Sequence, residues 1–259
     1  MELSAILDTY RWHRALGQKV RQLDCARIVA DPLHPNVWDT NHADCITAAT
    51  RPQIDAVLES LDIYLGHSDW RVVHTDPQTP EPFLARLAFD GFQEQAPIIQ
   101  MALNGRVRAE PAKNLQLVST DADWTALCEL VGYDHGEGLR LGNAIQSREL
   151  TDGIVAGYKS RSPACQFYLA YVDEQPVGYG SCAMGPTGAA IIEDLFTLPK
   201  FRGQGIASGM IAAFANQLNG DGCTTIFLGA LVGQSARFLY AKLGFEPIML
   251  TRTWTRNVR

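Results

Sequence analysis

Between residues 191 and 210 the chain reads IIEDLFTLPKFRGQGIASGM. An apolar run ends at Pro199, Arg202, Gly203 and Gly205 follow, and the pattern then turns helical. Where a strand hands over to a helix, the first helical turn presents backbone amides with no acceptor inside the helix. Those amides and the helix dipole attract an anion. Glycines remove the Cβ atoms that would hold a phosphate away, and they accept backbone angles closed to other residues. Arg202 adds a charged fork at the mouth. The stretch suits a phosphate or pyrophosphate. It is no dinucleotide fingerprint of the G-x-G-x-x-G type, which needs glycine where Ser208 stands, and it lacks the Gly-Lys-Ser/Thr of a Walker A loop.

The elements that must position this turn follow from the spacing of apolar residues. Leu3, Ile6, Leu7, Tyr10, Leu16, Val20 and Leu23 predict a leading amphipathic helix over 3–23. ADPLHPNVWDTN reads as loop. TRPQIDAVLESLDIYL predicts a helix with Thr50 at its N-cap and Pro52 in its first turn. WRVVHT predicts a strand, EPFLARLAFDGF a helix ending near Gly91, and APIIQMAL a strand. NGRVRAEPAKN, residues 104–114, mixes glycine, proline and charge and marks a domain boundary. Beyond it come a strand (LQLVST), a helix through Leu130 capped by Asp121 or Asp123, and a glycine-rich loop (GYDHGEGLRLGN). SRELTDGIVAGYKSR is a second helix. QFYLAYVDEQPVGYGSCAM is a hairpin turning at Asp173–Pro176. AAIIEDLFTL is a strand and IASGMIAAFANQL a helix stopping at Asn219–Gly220. A strand (TTIFLGALV), a helix to Gly244 and a final strand (EPIMLTRTWTR) close an α/β layered unit of order β-α-α-β-β-β-α-β-α-β. FLARLAFDGFQEQAPIIQMAL also echoes FLYAKLGFEPIMLTRTW, each a helix, a Gly-Phe and a strand.

Bulk properties exclude several classes. The chain has 259 residues, 46% hydrophobic, enough to bury one large core or two ordinary ones. A net charge of −6 without basic tracts argues against nucleic acid. The start of the chain mixes charge into its apolar residues, unlike a secretory leader, and no apolar run nears the ~20 residues of a membrane span. Cys25, Cys45, Cys128, Cys165, Cys182 and Cys223 form no C-x-x-C pair and none lies at zinc-ligand spacing with histidine, so no metal is expected. The reading is a cytoplasmic protein with reduced thiols.

Arg202-Gly203-Gln204-Gly205-Ile206-Ala207 fits the pattern Arg/Gln-x-x-Gly-x-Gly/Ala, between a strand and a helix, with SARFLYAKLGFEP downstream. In this setting residues ~115–254 resemble the GNAT superfamily of acetyl-CoA-dependent N-acetyltransferases. The first half resembles the degenerate partner domain of tandem members. It lacks the glycine motif, so no CoA site is expected there. The resemblance implies a mixed central sheet flanked by helices, in two domains over 1–110 and 111–259. It implies that the backbone of Gly203, Gln204, Gly205, Ile206, Ala207 and Ser208 holds the CoA pyrophosphate, with Arg202 beside it. Leu195, Phe196 and Thr197 would pair with the pantetheine arm. Glu193 matches the acidic position some members use as base, and Tyr240 the tyrosine that protonates the leaving thiolate. Gly233 departs from an asparagine common in the family, which puts one side-chain contact in doubt.

That chemistry is sound on its own terms. An amine of pKa ~10.4 is protonated at neutral pH and cannot attack a thioester until a carboxylate takes its proton. Adjacent Glu193 and Asp194 lie on opposite faces of a strand, so one at most faces a given site. A core tyrosine with a satisfied hydroxyl is the competing reading of Tyr240. Tyr133, Asp134, His135 and Glu137 fall where acceptors approach in the family, or else in a solvated loop. Trp38, Asp39 and Asn41 read as packing and loop hydrogen bonds. The acceptor implied is a small-molecule amine or a peptide, and a homodimer stays open. The contrasting class is a non-catalytic acyl-CoA-binding or protein-interaction module, and a longer acyl-CoA is a third option.

Overall fold

The computed structural model describes residues 3–140 and 147–259. The first half runs α1 (Leu3–Ala15), β1 (Lys19–Gln22), β2 (Arg27–Ala30), β3 (His42–Asp44), α2 (Arg51–Tyr64), β4 (Trp70–Thr75), α3 (Glu81–Phe89), β5 (Gln93–Glu94) and β6 (Ile98–Leu103). The second runs β7 (Leu115–Leu117), α4 (Asp121–Arg140), α5 (Arg148–Arg161), β8 (Gln166–Val172), β9 (Gln175–Met184) and β10 (Ala189–Thr197). It continues with α6 (Ile206–Gly220), β11 (Thr225–Leu231), α7 (Ala236–Leu243) and β12 (Phe245–Asn257). From β7 onward this is the order expected from sequence.

A twelve-stranded sheet joins both halves in the order β1-β2-β3-β4-β12-β6-β11-β10-β9-β8-β7, with β5 also pairing β12. The β3–β4 and β10–β11 pairs are parallel and the others antiparallel. The sequence echo has a structural counterpart. β4-α3-β6 and β11-α7-β12 are like units, and Gly91 and Gly244 end their helices with φ of 80° and 105°. Phe92 and Phe245 follow, both buried. Each unit sends its last strand into the other half: β6 pairs β11, and β12 pairs β4. The linker after β6 then crosses α6, where the Ala112 amide donates to the Gly209 carbonyl (2.9 Å). Glycine at 209 lets the linker come this close, since an added Cβ would lie 3.0 Å from that of Ala112. On this face α6 buries Met210, Ile211, Phe214 and Leu218 against the sheet, each worth about 1.5–3 kcal/mol.

Two expectations are corrected. The leading helix stops at Ala15, not Leu23. Gly17 breaks it with a φ of 72°, at a point where a Cβ would fall 2.0 Å from the Ser160 carbonyl oxygen. The chain then reverses into β1. Although first in sequence, α1 packs Ile6, Leu7 and Tyr10 into the core of the second half with Phe167, Tyr179 and Ile191. The Thr9 hydroxyl donates to the Ala189 carbonyl (3.3 Å).

The second correction concerns α4. It continues past Leu130 to Arg140, through most of the predicted glycine loop. Leu127 and Val131 are fully buried, and the Tyr179 hydroxyl donates to Asp134 (2.9 Å). These contacts outweigh a propensity cost of about 1 kcal/mol per glycine. The end of that predicted loop, residues 141–143, and the side chain of Glu137 lie outside the described residues. The cap is Thr120, ahead of both Asp121 and Asp123: the Asp123 amide donates to Thr120 Oγ1 (3.2 Å), and the Asp123 carboxylate accepts from the Thr120 amide (2.8 Å).

Candidate active site

Two strands part to make the site. β10 and β11 are paired over Ala189–Ile192 and Thr225–Leu228. A bulge then interrupts β10 between Glu193 and Phe196, with Asp194 at a φ of 56°. Phe196 and Thr197 still pair with β9, while the β11-facing edge of Leu195, Phe196 and Thr197 has no strand partner among the described residues. Backbone groups along that edge can therefore pair with an extended ligand.

The glycine turn lies at the end of this edge. Gly203 and Gly205 have φ of 76° and 81°, and an added Cβ at either would meet nothing within 4 Å. The left-handed region is why glycine stands at both. Gly205 caps α6 without a side-chain hydrogen bond, and Gln204 beside it is exposed. Ile206, Ala207 and Ser208 form the first turn of α6, and the Gly209 amide bonds the Gly205 carbonyl (2.8 Å). Arg202 turns back on the strand: Nε donates to the Thr197 carbonyl (2.9 Å), and the guanidinium sits 5.7 Å from the Phe196 ring centroid. One of its roles is thus to fasten the turn to β10. A cleft of about 210 Å³ beside the turn is lined by Ala112, Lys113, Tyr171, Gln204, Gly205 and Gly209.

At the bulge, Glu193 keeps partial solvent access, yet protein crowds it enough to matter. Burial and the charge of Asp194 push its carboxyl up to about 7, against the opposing pull of Arg14 and Arg161. Asp194 turns the other way, accepting from the Tyr158 hydroxyl (2.9 Å) and the Ser181 hydroxyl (3.0 Å). No hydrogen bond or ion pair reaches the Glu193 carboxylate from the described residues. Tyr240 is buried on α7 against Phe245. Burial, reinforced by the charge of Glu193, pushes its phenol up to about 12. The charge of Glu193 is thus felt at Tyr240.

The same neighbourhood adds Arg14 and Arg161, which the sequence did not single out, to Asp39 and His135. Arg14 from α1 donates to Asp39 (2.5 Å), the latter on a 3-10 turn at Trp38–Thr40. Arg161 ends α5, buried with 6% of its surface exposed. His135 on α4 is lowered by burial while Asp39 pulls it up. Of the other expected residues, Asp134 is tied to Tyr179 and Tyr133 is exposed. Trp38 packs edge-on to Trp70 at 5.2 Å, and Asn41 holds the loop by donating to the His34 and Val37 carbonyls (2.8 and 3.0 Å). Asp39 departs from that reading, because its carboxylate faces Arg14. No cluster of His, Cys, Asp and Glu suited to a metal occurs among the described residues, and none of their helices is long and apolar enough to cross a membrane.

Residues 142–245 match the family model described as acetyltransferase (GNAT) family. Solved structures resemble the whole chain. A GCN5-related N-acetyltransferase from Kribbella flavida is 18% identical at a TM-score of 0.67, covering 97% of this chain and 93% of that one. A functionally unknown conserved protein from Staphylococcus epidermidis gives the same identity and score, over 93% and 94%. A tandem GNAT protein from the clavulanic acid biosynthesis pathway is 15% identical at 0.56, over 83% and 74%. At these identities the likeness is one of fold. No curated protein matches the chain.

Proposed function

We propose that this chain, which carries an acyltransferase domain of the GNAT family, moves an acetyl group from acetyl-CoA to a primary amine by direct attack. GNAT proteins use acetyl-CoA as acyl donor, and the residues present fit that substrate. The observation that carries the reading is the left-handed turn at Gly203 and Gly205, open to solvent, beside the strand edge bared by the β10 bulge. The pyrophosphate sits on the amides of 203–208, and the pantetheine arm extends β10 along Leu195, Phe196 and Thr197.

Glu193 takes the proton of the incoming ammonium, directly or through a water. Its carboxyl at about 7 is well placed to accept a proton at neutral pH. The amine nitrogen attacks the thioester carbonyl carbon, the C–S bond breaks, and an amide N–H of the bared edge steadies the oxyanion. Tyr240 at about 12 holds its proton more tightly than a thiol of intrinsic pKa about 8.5. It therefore steadies the departing thiolate by a hydrogen bond, and the thiolate takes the proton that the nitrogen sheds on becoming an amide. The first half, 1–110, acts as a partner domain without CoA, and supplies β6 and α1 to the fold.

Titration of acetyl-CoA into the wild type and Arg202→Glu, followed by amine-dependent thiol release, tests this. Binding of one acetyl-CoA per chain, weakened in the variant, with turnover on some amine, is the expected result. A wild type that binds none would sink the reading.

A further inference from the structure

Arg161 is a buried charge without a role in acetyl transfer. It is 6% exposed, and its Nε lies buried without an acceptor. No hydrogen bond or ion pair from a described residue reaches its guanidinium. Its recorded contact is with the face of Tyr158, the guanidinium carbon 5.9 Å from the ring centroid. A buried arginine is ordinarily paired, because an unpaired buried ion costs several kcal/mol. The nearby carboxylates are committed elsewhere. Both oxygens of Asp194 accept from hydroxyls, those of Tyr158 and Ser181. Asp39 is bonded by Arg14, and its side chain is 54% exposed. His13 supplies no counter-charge in either protonation state, and burial and the charges of Arg161 and Arg14 hold it well below its usual range. Tyr158, whose ring Arg161 covers, donates its hydroxyl to Asp194, the residue next to Glu193, which sets the unspent fork beside the expected base.

A guanidinium fork with unmet donors matches a carboxylate, which it can hold by two parallel hydrogen bonds. Resting on the acetyltransfer reading, we propose that the acceptor is an amine that carries a carboxylate, of the amino-acid class, with the carboxylate on Arg161 and the amine toward Glu193. Arg161 is then a specificity-determining residue. The neighbouring Arg14 lends long-range attraction, although its own fork is shared with Asp39.

The test uses the full chain and matched pairs: glutamate, phenylalanine, lysine and glycine against their carboxamides, in the presence of desulfo-CoA. Binding is read by calorimetry and turnover, with acetyl-CoA, by thiol release. The wild type should favour at least one acid over its amide about a hundredfold, and Arg161→Met should lose that preference while binding desulfo-CoA as before. Arg161→Lys, which keeps the charge without the fork, should retain only part of it. Melting temperature separates this from a structural role. A ligand-binding cation left unpaired predicts that Arg161→Met melts no lower than the wild type, whereas a structural one predicts a clear fall. Equal binding of acids and amides, or a preference that survives in Arg161→Met, would overturn the proposal. Carboxylate-selective binding without any turnover would support it and sink the acetyltransfer reading instead.

Discussion

The two halves place like elements at like positions and equip them differently. In the second half, β10 meets a positive-φ residue, Asp194, directly after Glu193. In the first, β3 ends at Asp44, and Cys45 follows with a φ of 53°. Asp44 and Glu193 thus stand at corresponding points. Across the strand pair, Asp44 faces Arg27 while Glu193 faces Ser181. Arg27 grips Asp44 with both Nε (2.7 Å) and Nη2. Burial would push Asp44 up, but His42, its Nε2 3.7 Å away, and the Arg27 fork hold it well below the usual carboxylate range. Glu193, without such a partner, goes the other way. The junctions into the following helices differ in the same sense. Thr50 and Gln53 close the start of α2 with a capping box, whereas Gly205 leaves the start of α6 without one. At these two points the first half pairs its carboxylate and caps its helix with its own side chains, while the second leaves Glu193 without a partner among the described residues and α6 without a side-chain cap.

Removing the free carboxylate should have the largest effect. Glu193→Gln is expected to lower turnover about 10³-fold, within the range for a lost general base, while acetyl-CoA still binds. The wild-type rate should rise with pH through about 7, where Glu193 loses its proton, and the variant should lack that limb. The stability sign runs opposite. The native state holds the Glu193 proton to a higher pH than the unfolded chain, so this group's contribution falls as pH rises from the ordinary carboxylate range through about 7. Glu193→Gln should then melt higher than the wild type at pH 8, and the gap should shrink toward pH 5. A rate profile unchanged by the substitution would remove Glu193 from the chemistry.

The corresponding change in the first half should invert this pattern. Asp44→Asn strands the mostly buried Arg27 guanidinium, whose side chain is 13% exposed. We expect a loss of about 3 kcal/mol in denaturant unfolding, with acetyl-CoA affinity intact. A stable Asp44→Asn chain with impaired acetyl-CoA binding would mean that the halves divide their labour otherwise.

This contrast was only partly legible in the sequence. The turn at 202–208 was, because a glycine at a strand–helix junction declares a local backbone need. The element order of the second half was too, since apolar periodicity is local. The helix–Gly-Phe–strand echo was visible, but not the exchange of β6 and β12, because nothing within a strand names which half it will join. Arg14 and Arg161 were missed, and Asp39 was read as a loop residue, for a related reason. They come from α1, a 3-10 turn and the end of α5, and they converge only because α1 crosses to β10, with Thr9 and Ala189 180 residues apart in sequence. The overlong α1 and the short α4 were failures of periodicity against Gly17 and against the packing of Leu127 and Val131. Glu193 carried no signal of its own, since a free carboxylate and a paired one are written alike.

The helix junctions allow a finer test. Gly205→Ala puts a Cβ on a residue at a φ of 81°, a conformation costing other residues about 1–2 kcal/mol. Nothing in the protein is close enough to clash. The change should lower stability by about that amount and weaken acetyl-CoA binding about tenfold, as the turn relaxes and the methyl enters the phosphate's path. An equal loss of stability with no change in affinity would reduce the turn to architecture.

Thr50→Ala should have the smallest effect and is the sharpest control. It removes the hydroxyl of the capping box at α2, where Gln53 Oε1 accepts from the Thr50 amide (3.1 Å). Losing such a cap costs about 1 kcal/mol, and denaturant unfolding should read that figure. Because α2 follows the junction whose amides are already satisfied, acetyl-CoA affinity and turnover should not move. The variant frees one amide, that of Gln53, at a helix start without supplying the left-handed glycines or the bared strand edge. If freeing amides alone made an anion site, Thr50→Ala would gain a second, weak equivalent of acetyl-CoA in the titration. A stoichiometry that stays at one per chain would locate recognition in the glycine backbone and the split between β10 and β11, with the helix start as a contributor rather than the cause.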